Sequence, residues 1–271
     1  MTELPLYLAG LAALLTARYL YSLAGAPQLR WLLAPVAWLA QHFGKIPFLW
    51  DLQLGYISHP YRFILAPSCS GFQFMLIAAA TLYFTFLHRM ETKKEKLGWT
   101  LSSLMTAYLF TIFVNSLRVI LSAYVPLLLE GTDIFRTWLT KDRFHTATGV
   151  LVYFPALLLL YQMARAYLDA HQPKHGPAIC FTGSVRRYIP PVFWYLFFVL
   201  GLPFLHQACQ THDNAFWSYA LLVVSLCLVV LLLLGAILWA QRCYLPPPSF
   251  NDTARRPLTD TEATPTGQQE I

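Results

Sequence analysis

The chain has 271 residues, of which 57% are hydrophobic and only 12% charged, with a formal net charge of +6. That composition excludes a soluble globular domain of this length, and so sparse a basic excess requires no nucleic-acid partner. It predicts an all-α, polytopic transmembrane bundle of about six to eight helices.

Apolar windows of spanning length fall at 4–24, 31–50, 63–87, 97–125, 146–166, 189–207 and 216–240. Met1-Thr2-Glu3 lacks the basic start of a secretory signal, and Pro27 follows the small-residue run Ala24-Gly25-Ala26. Window 4–24 is therefore expected as a retained helix. Pro35, Gln41, His42 and Lys45 interrupt 31–50, which reads either as a crossing or as a re-entrant or interfacial segment. Window 97–125 is too long for one straight span, so beyond Arg118 the chain is expected to tilt, turn near Pro126 or leave the membrane. No internal repeat divides the chain. From Leu245 it changes to Pro246-Pro247-Pro248 and a polar, Thr-rich stretch, so 245–271 reads as a disordered tail.

Lysine and arginine set the expected orientation. The loop His88 to Lys96 carries Arg89, Lys93, Lys94 and Lys96 and is assigned to the cytoplasm. Alternation places Arg165, Lys174, Arg186, Arg187, Arg242, Arg255 and Arg256 on the same side, with Arg18 and Arg30 joining them if 31–50 crosses. The protein is thus expected as a multi-pass protein of the cell (inner, cytoplasmic) membrane.

Three reactive side chains stand at the opposite ends of these windows. Cys69 lies in Ala66-Pro67-Ser68-Cys69-Ser70-Gly71, just before the run from Phe72 to Leu87. Arg118 follows the run Leu97 to Val114, and His145 precedes the run Ala147 to Ala164. At ~1.5 Å per residue, Cys69 to Leu87 covers ~27 Å, Leu97 to Arg118 ~32 Å and His145 to Arg165 ~30 Å. A hydrocarbon core ~30 Å thick then brings thiol, guanidinium and imidazole to one extracytoplasmic surface.

Each has an ordinary alternative. Membrane cysteines are commonly small apolar fillers, the reading given to Cys227 within its Leu/Val run. Cys180 and Cys243 lie on the basic side, and Cys209, in the outer loop 207–215, is placed where it could pair with Cys69. Cys69 differs in having small neighbours, Ser68, Ser70 and Gly71, and a helix start whose dipole favours an anion. Arg118 alone reads as an interfacial arginine reaching headgroups. With Asn115 one turn away on the same face, it offers donors to a carbonyl oxygen that becomes negative. His145, one of eight histidines, is set apart from His42, His59, His206 and His212 by its depth and by Gly149, which permits close packing. No His-Glu-x-x-His or Cys-x-x-Cys motif occurs, so neither metal nor other cofactor is expected. Ser70-Gly71 is faintly similar to the element of rhomboid-type serine proteases, although Ser68 stands where their glycine is expected.

Ser68-Cys69-Ser70-Gly71 before a spanning helix, then Asn115-x-x-Arg118, then His145-x-x-x-Gly149, resembles the exosortase/archaeosortase family across about residues 50–166. The resemblance implies an all-helical membrane peptidase or transpeptidase with Cys69, Arg118 and His145 as its site and Asn115, Ser68, Ser70 and Gly71 in support. It implies substrates that are membrane-anchored proteins with a carboxy-terminal sorting signal: a short motif such as Pro-Glu-Pro, a transmembrane helix and a basic end. The acyl acceptor would be water, an amine, or a lipid or polysaccharide group. Residues 1–244 would form the membrane-embedded catalytic domain and 245–271 a cytoplasmic tail dispensable for catalysis. The competing classes are a non-catalytic membrane scaffold or transporter, and a serine protease using Ser70.

Overall fold

A computed structural model describes residues 4–129, 141–171, 188–207 and 214–244. The helices are α1 (Leu4–Leu23), α2 (Arg30–Gly44), α3 (Phe72–Phe86), α4 (Lys93–Leu129), α5 (Lys141–His171), α6 (Ile189–Leu196), α7 (Leu202–Gln207) and α8 (Asn214–Tyr244). A π turn, Phe197–Gly201, joins α6 to α7. Among the described residues five segments are long and apolar enough to cross a membrane: Leu4–Leu23, Pro67–Arg89, Lys93–Leu128, Arg143–His171 and Phe216–Ile237.

The expectation of a purely helical chain needs one correction. Three short strands, β1 (Leu49–Asp51), β2 (Gly55–Ser58) and β3 (Phe63–Leu65), form an antiparallel meander, with Trp50 opposite Tyr56 and Ile57 opposite Ile64. The first turn is built by Asp51, whose Oδ1 accepts from the N–H groups of Gln53 and Leu54, both at 2.8 Å. Those donors hold the Asp51 carboxyl below the usual carboxylate range. Gly55 completes the turn at φ +97°, where a Cβ would run into the Leu65 carbonyl oxygen.

Burial separates the helices by role. Of the crossing window in Pro67–Arg89, 72% is buried, against 6% in α1 and 17% in α8. An all-round apolar helix belongs at the centre, and the buried run Ala78-Ala79-Ala80 lets neighbours approach α3 closely. The outer helices carry their leucines outward, among them Leu8 and Leu20 of α1 and Leu221 and Leu232 of α8.

Side-chain staples fix helix directions. Tyr83 donates to the Leu6 carbonyl at 2.9 Å and Tyr21 to the Pro67 carbonyl at 2.8 Å, so α1 runs antiparallel to α3. The Arg89–Asp169 ion pair at 2.7 Å joins the ends of α3 and α5, which run in the same direction. Antiparallel to both, α4 has Trp99 against the Leu82 carbonyl at 3.2 Å and Asn115 against that of Cys69 at 2.8 Å. The bundle therefore has a basic end, with Arg89, Arg165 and the start of α4, and a site end with Cys69.

Window 31–50 is not among the five segments of crossing length. The helix in it has 15 residues, ~22 Å, and stops at Gly44 because Lys45 turns left-handed at φ 51°. It runs alongside the outer half of α4, with Tyr108 donating to the Trp31 carbonyl at 3.2 Å and Tyr124 to that of Gly44 at 2.7 Å. Gly44 is needed there, since a Cβ would meet Ile120 at 2.8 Å. Arg18 and Arg30 accordingly lie toward the site end, their guanidinium groups over the Tyr21 and Trp50 rings. Beyond Arg118, α4 continues unbroken through Pro126 to Leu129; its 37 residues make ~55 Å. In window 63–87 the helix begins only at Phe72, because β3 occupies 63–65. The tail 245–271, Cys180, Cys209 and His212 lie outside the described residues.

Candidate active site

The turn that presents Cys69 is made by its neighbours. β3 ends at Leu65, and Pro67 opens a single 3-10 turn, closed by Cys69 N–H on the Ala66 carbonyl at 2.8 Å and Ser70 N–H on the Pro67 carbonyl at 3.1 Å. Gly71 then reverses direction at φ +81° and α3 begins. A side chain at 71 is excluded twice over. The left-handed backbone costs a non-glycine residue ~1–2 kcal/mol, and a Cβ would stand 3.0 Å from Asn115 Cγ. Gly71→Ala is expected to lower the melting temperature and to push Asn115 off the Cys69 carbonyl, with processing falling further than stability. A melt and an activity assay on the same preparation check this; unchanged processing would show that the turn tolerates the displacement.

Sulfur, imidazole and guanidinium converge. Cys69 Sγ is 3.8 Å from His145 Nε2, and Arg118 Nη2 is 2.7 Å from the same nitrogen. A guanidinium carries only donors, so His145 Nε2 accepts from it and the imidazole proton sits on Nδ1. The lone pair that would take the thiol proton is thus the one Arg118 occupies. Arg118 also donates through Nη1 to the Tyr153 hydroxyl at 3.2 Å, and its guanidinium lies over the Tyr153 ring, 5.1 Å from the centroid. Cys69 is a free thiol, 8% exposed; Arg118 is 7% exposed, and His145 stands at the open rim. Gly149 faces the guanidinium, whose Nε lies 3.6 Å from where a Cβ would be, an ordinary contact distance.

The four supporting residues take different parts. Ser68 is exposed, its hydroxyl 4.0 Å from the sulfur. Ser70 is fully buried, and its Oγ accepts from the Phe72 N–H at 3.3 Å, a turn contact pointing into the protein. Gly71 supplies the reversal. Asn115, expected as a second oxyanion donor, instead donates to the Cys69 carbonyl at 2.8 Å and accepts from the Tyr153 hydroxyl at 2.6 Å. A fully buried amide must have its groups satisfied, and here that need fixes the turn that carries Cys69.

A cavity of about 290 Å³ opens beside these groups, lined by Arg118, His145, Gly149, Tyr153, Tyr195 and Tyr219 among others. It reaches Ile77, two turns down α3 from Cys69. Across its wall Gln73 donates to the Phe198 carbonyl at 3.0 Å, a bond that ties the π turn to α3.

Against known proteins, no family model, no curated protein and no solved structure matches this chain. The site therefore rests on its own chemistry. Tyr153 is the member that sequence reasoning missed. One tyrosine among 15 carries no signal by composition, but Tyr153 falls eight residues after His145 and four after Gly149, on one helical face. That spacing was the available clue.

Proposed function

We propose that the protein is a membrane-embedded cysteine peptidase or transpeptidase of the exosortase/archaeosortase kind. Its substrates would be membrane-anchored proteins with a carboxy-terminal sorting signal, cut at the extracytoplasmic face of the cell membrane. The observation that carries this is the single cluster formed by Cys69 Sγ, His145 Nε2 and Arg118 Nη2, with distances of 3.8 and 2.7 Å. Its position, at the bundle end remote from Arg89, Lys93, Lys94, Lys96 and Arg165, supports an outward site, while Arg18 and Arg30, at the site end, do not add to the cytoplasmic charge.

In the mechanism, a peptide carbonyl enters beside Arg118, which moves from His145 onto the carbonyl oxygen as that oxygen becomes negative. The vacated His145 Nε2 takes the thiol proton, and sulfur attacks the carbonyl carbon. Collapse of the tetrahedral intermediate breaks the carbon–nitrogen bond, and His145 gives its proton to the leaving amine. Water or an acceptor amine or hydroxyl then attacks the thioester, losing its proton to His145, which returns it to sulfur. The scaffold or transporter alternative fits less well, because the polar groups gather at one end of the bundle and the chain has no repeated halves.

The test is co-expression with tagged membrane proteins carrying such carboxy-terminal signals, followed by mass analysis of their new carboxy ends. The reading expects a defined cut before the substrate's transmembrane helix. That cut should be lost with His145→Ala by roughly 10²–10⁴-fold. Intact substrates throughout, with the protein abundant in the membrane, would end it.

A further inference from the structure

Tyr153 performs no chemistry in the proposed reaction, yet its hydroxyl joins the two halves of the site. It accepts from Arg118 at 3.2 Å and donates to Asn115 at 2.6 Å, and Asn115 donates to the Cys69 carbonyl at 2.8 Å. Arg118 meets His145 at 2.7 Å, and His145 faces the Cys69 sulfur at 3.8 Å. The contacts therefore close on themselves, from Cys69 through Asn115, Tyr153, Arg118 and His145 back to Cys69. The tyrosine ring is itself held, stacked on Phe74 with centroids 4.6 Å apart and planes 9° from parallel.

Arg118 needs such a holder. Among the described residues the ion pairs join Arg89 and Arg165 to Asp169, and no carboxylate stands within 4 Å of Arg118. Its Nε is buried without an acceptor. A buried cation with no anionic partner is retained by the dipoles aimed at it, and a long side chain without them takes up other rotamers. The Tyr153 hydroxyl is one such dipole, and it is tied through Asn115 to the peptide unit that carries the sulfur.

We infer that Tyr153 is a positioning residue that sets Arg118 relative to the Cys69 turn through its hydroxyl and Asn115. The inference rests on the Cys69–His145–Arg118 reading above and adds to it a member without reactive chemistry.

The experiment measures the rate at which iodoacetamide alkylates Cys69 in the full-length protein in nanodiscs, read on the Cys69 peptide by mass spectrometry. Wild type, Arg118→Gln, Tyr153→Phe and the double variant are compared, with melting temperatures recorded for each. Removing the cation near the sulfur in Arg118→Gln is expected to slow alkylation roughly tenfold. Tyr153→Phe keeps the ring and its stacking but cuts the hydroxyl's two bonds, and is expected to slow the reaction about three- to fivefold. Because both changes act through the same guanidinium, the double variant should be no slower than Arg118→Gln alone. A structural role only would lower the melting temperature while the two effects multiplied, or while Tyr153→Phe alone left the rate unchanged; either result overturns the proposal. If Arg118→Gln alone leaves alkylation unchanged, the guanidinium is not coupled to the sulfur, and the three-residue site falls together with the role of Tyr153. Should Tyr153→Phe not accumulate, Asn115→Ser cuts the same hydroxyl from its other side and the same non-multiplicative pattern is expected.

Discussion

Cys69→Ala is expected to bring substrate processing to background, while Ser70→Ala retains activity within about threefold and loses about 1 kcal/mol of stability. The two residues are adjacent and chemically similar, so the comparison separates the cysteine enzyme from a serine protease. Their environments explain the asymmetry. The sulfur of Cys69 faces His145 at 3.8 Å across the cavity mouth, whereas Ser70 is fully buried with its oxygen turned back to the Phe72 N–H. For Ser70 to attack a carbonyl, the turn that Gly71 and Asn115 hold would have to open. Cys69→Ser is also expected to be very poor, since a hydroxyl is far harder to ionise than a thiol and, among the described residues, His145 is the base beside it. Processing measured from tagged substrate on blots, normalised to membrane abundance, decides it. Activity lost with Ser70→Ala and kept with Cys69→Ala would transfer the reaction to the serine.

Arg118→Lys is expected to cost processing roughly 10²–10³-fold, nearly as much as Arg118→Ala. An arginine that only reached headgroups would be replaced by lysine without loss. Arg118 is 7% exposed and makes three engagements at once: Nη2 on His145, Nη1 on the Tyr153 hydroxyl, and the guanidinium plane over the Tyr153 ring. An ammonium is a compact point charge and cannot reproduce that planar fork. A unit charge near a developing oxyanion is worth ~4 kcal/mol at 4 Å and an effective dielectric of 20, against ~1 kcal/mol for a neutral hydrogen bond. Placement of the charge therefore dominates the loss. Near-wild-type processing by the lysine variant would remove Arg118 from the chemistry.

The helical frame was legible in the chain because long apolar runs between charged loops have few other solutions. That Cys69, Arg118 and His145 come to one end of the bundle follows the same logic, since helical rise converts residue counts into height. The β-meander was hidden. Its strands are three or four residues long, too short for period-two alternation to stand out; β1 and β3 overlap neighbouring windows and β2 lies in the gap between them. Hydropathy alone left window 31–50 open between a crossing and an interfacial segment; its apolar residues pack against α4 beside the site. Tyr153 and the true contacts of Asn115 belong to tertiary geometry, where a buried amide joins whichever partners the fold brings near. One residue type at helical spacing gave only a hint of them.

The histidine that faces the sulfur is made 76 residues after it. At about 5–20 residues per second a ribosome needs roughly 4–15 s to cover that distance. Arg118 is made earlier in that interval, so the histidine at the start of α5 is the last of the three to arrive. On the proposed reaction, an emerging molecule would be inert toward neighbouring polypeptides until α5 docks. A product stalled or truncated ahead of His145 would then carry the sulfur without its proposed base, and assembly of the bundle would serve as the arming step.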